Sequence, residues 1–122
     1  DVIAAVGRGS KVSDQAEARA FNRVLGKLAG QTPINSLAPN TGYTLGASSI
    51  LNLIALCMEM RQNVLFPTIN VQLLDKKLGA INLIQNVPYP KKIDTALALG
   101  SAFLGSNTAI VLRRSESAEV TL

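Results

Sequence analysis

The chain opens on an unbroken apolar run at residues 1–6 (DVIAAV). A run this short, with no polar face, predicts a strand buried inside a parallel sheet. Residues 7–13 (GRGSKVS) then predict a loop. Asp14 followed by Glu17 has the spacing of a capping box, which places a helix start there. Ala20, Phe21, Val24, Leu25 and Leu28 recur at helical spacing, giving one apolar stripe closed by Gly30 as the C-terminal cap. Residues 33–37 (PINSL) predict a short strand and residues 38–43 (APNTGY) a loop.

From residue 45 to 61 the pattern changes. Ile50, Leu51, Leu53, Ile54, Ala55, Leu56, Cys57, Met58 and Met60 cover nearly every face of a helix, so burial on most sides is expected. Asn52 interrupts the stretch and Glu59 and Arg61 end it, short of the ~20 residues a membrane span needs. Gly46, Ala47, Ser48 and Ser49 give its first turn a small profile that lets another backbone come close. Pro67 makes residues 66–70 extended. Residues 71–80 carry no clear pattern, and residues 87–90 (VPYP) read as an extended loop. Residues 95–103 (TALALGSAF) and 107–113 (NTAIVLR) predict two final strands, joined as a hairpin through Leu104, Gly105 and Ser106. The order β-α-β-α-β-β argues for one layered α/β domain over residues 1–114, with residues 115–122 as a fraying tail. A two-layer domain leaves part of the apolar helix wet. The chain is therefore expected to be half of a larger sandwich, or one side of an intimate oligomer.

Composition narrows the function. The formal net charge is +4, part of it in the doublets Lys76 and Lys77, Lys91 and Lys92, Arg113 and Arg114. Such doublets are either a solvated surface or a docking face for an acidic partner. Aromatics make up 4% and Trp is absent, which argues against binding single-stranded nucleic acid by base stacking. Cys57 is the only cysteine and there is no histidine, so an internal disulfide is impossible and no Cys/His metal site is expected. No cofactor is expected either. A single thiol in an apolar helix reads as inert core and fits a reducing, cytoplasmic setting. The start at Asp1 shows no secretory signal and reads as a cut through a longer protein.

The motifs say little alone. Gly7, Arg8, Gly9 and Ser10 between a strand and a helix resemble a phosphate loop. They lack the third glycine of a dinucleotide site and the Lys of a P-loop, so a tight turn is the better reading. Asp14 and Glu17 read as structural rather than as an acid/base pair. Without histidine no Ser-based triad is available.

Four blocks in order do carry a resemblance: residues 6–17 (VGRGSKVSDQAE), 36–47 (SLAPNTGYTLGA), 67–70 (PTIN) and 102–107 (AFLGSN). Together they resemble the C-terminal half of β-ketoacyl synthases. That family carries His-Gly-Thr-Gly-Thr before an Asp and a Glu, then a Lys and Asn-x-Gly-His before a buried helix, then Pro-Thr-Ile-Asn, then a Gly-Phe-Gly-Gly-x-Asn hairpin. The resemblance implies a thiolase-like fold of two similar halves in five layers, with this chain the second half and the nucleophilic Cys in the first. It also implies where the chemistry fails. The two histidines that stabilise the thioester oxyanion fall on Val6 and Tyr43, and pre-organised donors of that kind are usually the largest catalytic term. The Lys falls on Ala38, which leaves Glu17 without its ion-pair partner. The threonines that contact pantetheine fall on Arg8 and Ser10. Gly7, Gly9, Gly42 and Gly105 remain, as does the gating Phe at Phe103, but Ala102 and Leu104 replace its flanking glycines and are expected to stiffen the loop and narrow the pocket.

No catalytic set is intact. Arg8, Ser10, Tyr43, Phe103, Gly105 and Asn107 are the expected substrate-pocket residues, with Asp14 and Glu17 structural. Arg8 either holds a carboxylate or phosphate or points to solvent. The function implied is a non-catalytic, chain-length-factor-like subunit of fatty-acid or polyketide-type synthesis. It would form a homo- or heterodimer, pair with an active ketosynthase and meet an acyl carrier protein. Two alternatives stand: a condensing enzyme whose Cys lies in the other half and which uses Tyr43 or Arg8, and a structural dimerisation module.

Overall fold

The computed structural model describes residues 1–115. Five strands make the main sheet: β1 (Val2–Ala4), β2 (Pro33–Asn35), β4 (Asn82–Leu83), β6 (Thr95–Ser101) and β7 (Asn107–Arg113), in the spatial order β4-β2-β1-β6-β7. The first four run parallel, with Ile3 opposite both Ile34 and Leu97. The hairpin partner β7 is antiparallel to β6, from Thr95 opposite Arg113 to Ser101 opposite Asn107. β3 (Val64–Leu65) and β5 (Tyr89–Pro90) form a separate antiparallel pair. The helices are α1 (Lys11–Leu25), α2 (Ala38–Thr41) and α3 (Ser48–Gln62).

The central strand explains the opening apolar run. Alternate side chains leave opposite faces of a strand. Val2 and Ala4 join Leu56, Met60 and Leu65 in one core, whereas Ile3 and Ala5 join Phe21 and Ile34 in the other. α3 thus covers one face of the sheet and α1 the other.

Several expected boundaries move. α1 starts at Lys11, three residues before the expected cap, with Ser10 in the extended N-cap conformation and no side-chain cap bond. Asp14 and Glu17 therefore sit inside the helix, where their side chains serve the preceding loop instead. The helix ends at Leu25 on Gly26 (φ +55°), and a 3-10 turn continues over Gly26–Gly30. Its buried residues are Ala18 and Phe21, while Val24 and Leu28 are exposed, so the inward face is rotated from the expected stripe. Residues 38–41 wind into a helical turn rather than a loop.

The apolar helix is buried on one side only. Leu56 and Met60 reach the core with Leu53 against it, but Ile50, Ile54 and Met58 are about half exposed and Cys57 is exposed. Cys57 is therefore not a core thiol in this chain. No described helix is long and apolar enough to cross a membrane.

The hairpin forms as expected, except that β6 stops at Ser101 and Phe103–Gly105 make a 3-10 turn. Arg114 pins its base, donating to Ile93 O, to Met60 O and, at 2.7 Å, to Asn63 Oδ1. Lys92 pairs with Asp94 at 3.1 Å. Two of the six doublet cations are thus engaged within the fold. The tail expected to fray lies, from residue 116 on, outside the described residues.

Candidate functional site

In an open parallel sheet, ligands gather beyond the carboxyl ends of the strands, where successive crossovers diverge to either side. Here that point lies between β1 and β6. The chain leaves β1 toward β2 on one side and later returns as β6 on the other. The residues at that point are the 6–9 loop and the end of the β6–β7 hairpin.

Three elements fix the loop. Asn52 of α3 donates to Ala5 O at 2.8 Å and anchors the end of β1. Gly7 (φ +45°) lies so close to Ser36 that a Cβ there would stand 2.6 Å from its side chain. Ser36 Oγ reaches Val6 O at 3.0 Å. From α1, the Glu17 carboxylate accepts the Val6 N–H at 2.8 Å and the Gly7 N–H at 3.1 Å. Asp14, one turn earlier, faces the backbone N–H groups of Gly9 and Arg8. Burial holds both carboxyls above their ordinary pKa, and these N–H groups work against that rise. Among the described residues neither carboxylate has an ion pair.

The loop delivers Arg8 and Val6 to the hairpin. Arg8 donates to Ser101 Oγ at 2.9 Å and to Ser101 O at 3.1 Å. Tyr43, just beyond α2, donates its hydroxyl to the same carbonyl at 3.1 Å. The guanidinium carbon lies 4.6 Å from the Tyr43 ring centroid, a cation–π contact. Next to Ser101, Gly100 lets α3 and β7 come close, since a Cβ there would meet Ser49 Oγ at 2.4 Å and Thr108 Oγ1 at 2.5 Å. Beside the cluster lies a cavity of about 380 Å³, lined by Val6, Arg8, Glu17, Phe21, Ser101 and Asn107 among others. Arg8 Nε is buried without a partner.

The expected pocket residues thus divide. Arg8 and Tyr43 meet at Ser101, and Arg8 and Asn107 line the cavity together with Val6, the position expected for the first histidine. Ser10 and Phe103 are exposed, and Gly105 (φ +85°) has open space around it. Ala38 opens α2, its N–H on Ser36 Oγ at 3.2 Å. Leu104 does adopt a positive φ of 65°, but its side chain is fully exposed and narrows nothing in this chain. Sequence reasoning passed over Ser101, on which Arg8 and Tyr43 converge; its pleated strand pattern held no hint of that role.

Chemically, neither sequence position expected to supply an oxyanion donor is free to do so. The Val6 side chain has no polar atom and its N–H is held by Glu17, and the Tyr43 hydroxyl proton is already donated to a protein carbonyl.

A central parallel strand with its helices on opposite faces, and a loop and hairpin tip meeting at the divergence point, define part of a thiolase-like fold. The family model described as Beta-ketoacyl synthase, C-terminal domain, matches residues 1–72. The chain belongs to that family. It is 33% identical over 118 residues to the granaticin polyketide putative β-ketoacyl synthase 1 of Streptomyces violaceoruber, covering 97% of this chain and 28% of that protein. Among solved structures, it superposes with a TM-score of 0.89 and 37% identity on a chain of the complex described as a type II PKS acyl-carrier protein in complex with its ketosynthase bound to the hexaketide. That match covers 93% of this chain and 28% of the other. The ishigamide ketosynthase/chain length factor matches with a TM-score of 0.88 and 26% identity over 94% of this chain and 28% of its own. The chain therefore spans just over a quarter of the length of these proteins.

Proposed function

We propose that this chain is part of the C-terminal half of a ketosynthase-like subunit that does not itself condense acyl groups, and that pairs with an active condensing partner and shapes its acyl pocket. The observation that carries this reading is the Arg8–Tyr43–Ser101 cluster. A decarboxylating malonyl thioester develops charge on its carbonyl oxygen, and stabilising it takes donors aimed at that oxygen before the reaction starts. Here the position expected to hold one donor is Val6. The other is Tyr43, committed to Ser101 O and stacked under a guanidinium. The half-exposed apolar face of α3 gives the pairing a surface, since Ile50, Ile54 and Met58 recur every four residues along one stripe. The acyl carrier protein is the natural donor of the chain that such a pair would handle, and polyketide-type synthesis is the setting its relatives favour over fatty-acid synthesis.

The test uses the natural protein containing this chain, with acyl- and malonyl-carrier thioesters, alone and with a purified active ketosynthase. The expected result is no condensation alone and an altered product length in the pair. Turnover by the protein alone that is lost in Tyr43→Phe would overturn the reading and establish the condensing enzyme instead.

A further inference from the structure

We propose that two copies of this chain join edge to edge through β7, antiparallel about a two-fold axis at Ile110, so that their sheets continue into one another. The inference goes beyond the pairing with a condensing partner and does not rest on it.

The sheet ends in two unlike edges. β4, on one side, is two residues long, and so short a strand gives a second chain little to hold. β7, on the other, spans seven residues and pairs only with β6. Its register runs unbroken from Arg113 to Asn107, so no bulge turns the edge away. It contains no proline, and its one charge, Arg113, stands at the end. The usual means of blunting an edge are missing.

The hairpin fixes which way each peptide group points. Arg114 N–H donates to Asp94 O and Ala102 N–H to Ser106 O, so the even-numbered residues of β7 bond inward to β6. Asn107, Ala109, Val111 and Arg113 turn their N–H and C=O groups outward, and among the described residues nothing pairs with them. An axis at Ile110 sets Ala109 opposite the second copy's Val111, and Asn107 opposite its Arg113. Every outward residue then meets an outward residue, over the whole strand. Moving the axis to Ala109 or Val111 leaves an end of each strand without a partner. The same register keeps Arg113 away from its own counterpart and sets Ile110 against Ile110, an apolar cross-strand pair. Ile110 is 45% and Val111 68% exposed in the single chain. This self-complementarity, rather than exposure alone, makes a second copy the occupant.

Disulfide trapping in the natural protein containing this chain tests it. In this register the two Ile110 Cα atoms stand about 4.5 Å apart, within reach of a disulfide. Thr108, exposed on the same face, lies about 14 Å from its counterpart. Under mild oxidation Ile110→Cys should link to itself at least tenfold more than Thr108→Cys, read by mass spectrometry. A link from residue 110 to residue 110 must join two molecules. Ala109→Pro removes only an outward N–H and should cut the Ile110→Cys link at least tenfold with the circular dichroism unchanged. Val111→Lys, a charge on the edge, serves if the proline variant does not fold. Three results would overturn the proposal: equal linkage at both positions, linkage that survives in the folded edge variant, or no linkage at residue 110. None of them would bear on the condensation assay above.

Discussion

Replacing Glu59 with Gln removes an acid from the interior. Glu59 is 1% exposed near the end of α3. Its Oε1 accepts from the Asn35 side chain and, at 2.7 Å, from the Phe66 N–H, so one carboxylate ties β2 to the chain beyond β3. Its Oε2 has no hydrogen-bond partner, and no cation among the described residues pairs with it. Burial pushes its pKa from 4.5 up to about 7, against the pull of those two donors. That rise corresponds to about 3 kcal/mol between the ionised and neutral acid, an upper figure. The sign follows from proton counting. Between pH 4.5 and about 7 the folded chain holds more protons at this site than the unfolded chain. Stability from this group is therefore greatest below pH 4.5 and is lost as pH rises through 7. Asp14 and Glu17 are also raised by burial and add slopes of the same sign, so the informative quantity is a difference. Urea midpoints of the chain and of Glu59→Gln, taken from pH 5 to 8, should diverge in the amide's favour by up to about 3 kcal/mol toward the alkaline end. A difference that stays flat across that range would refute the claim that Glu59 is held as a neutral acid.

Three further substitutions probe the site and its surroundings. Gly100→Ala drives a Cβ against Ser49 and Thr108 and should cost about 1–3 kcal/mol by urea unfolding; a loss under about 0.5 kcal/mol would show that those side chains simply rotate away. Arg8→Ala removes two charge-assisted bonds to Ser101 and the stacking on Tyr43, with a loss of about 1–2 kcal/mol expected in this half-buried setting, and an unchanged midpoint would mean the cluster holds nothing together. Ile54→Lys, at a residue 51% exposed, should leave the midpoint within about 0.5 kcal/mol yet reduce association measured by sedimentation; unchanged association would remove α3 as the pairing face.

What the sequence made legible followed from periodicity. The run 1–6 announced a doubly buried strand because β1 does touch a core on each side. The β6–β7 hairpin was legible because two seven-residue strands meet across a short Gly-containing turn. Two-residue strands such as β3, β4 and β5 hold too few positions to show any period. The apolar stripe of α1 misled because Val24 and Leu28 are apolar without being inward, and hydrophobicity alone does not say which side of a helix meets the sheet. The capping-box spacing misled for a related reason. A carboxylate can satisfy backbone N–H groups of the preceding loop as readily as those of its own first turn, and Glu17 does so at Val6 and Gly7.

Resemblance located Val6, Arg8 and Tyr43 as departures one at a time, but the structure makes Arg8 and Tyr43 one arrangement. Arg8 alone at the loop would place a cation against the hairpin with no acceptor in reach. Ser101, 93 residues away in sequence, supplies two oxygens to it. Tyr43 supplies the ring face and shares one of those oxygens. A histidine restored at Val6 would therefore not restore a site, because the Tyr43 hydroxyl and the Arg8 guanidinium would still be tied to the hairpin. Double-mutant coupling is the expected signature. The costs of Arg8→Ala and Tyr43→Phe should fall short of additive by about 0.5 kcal/mol or more, whereas independent departures would simply add.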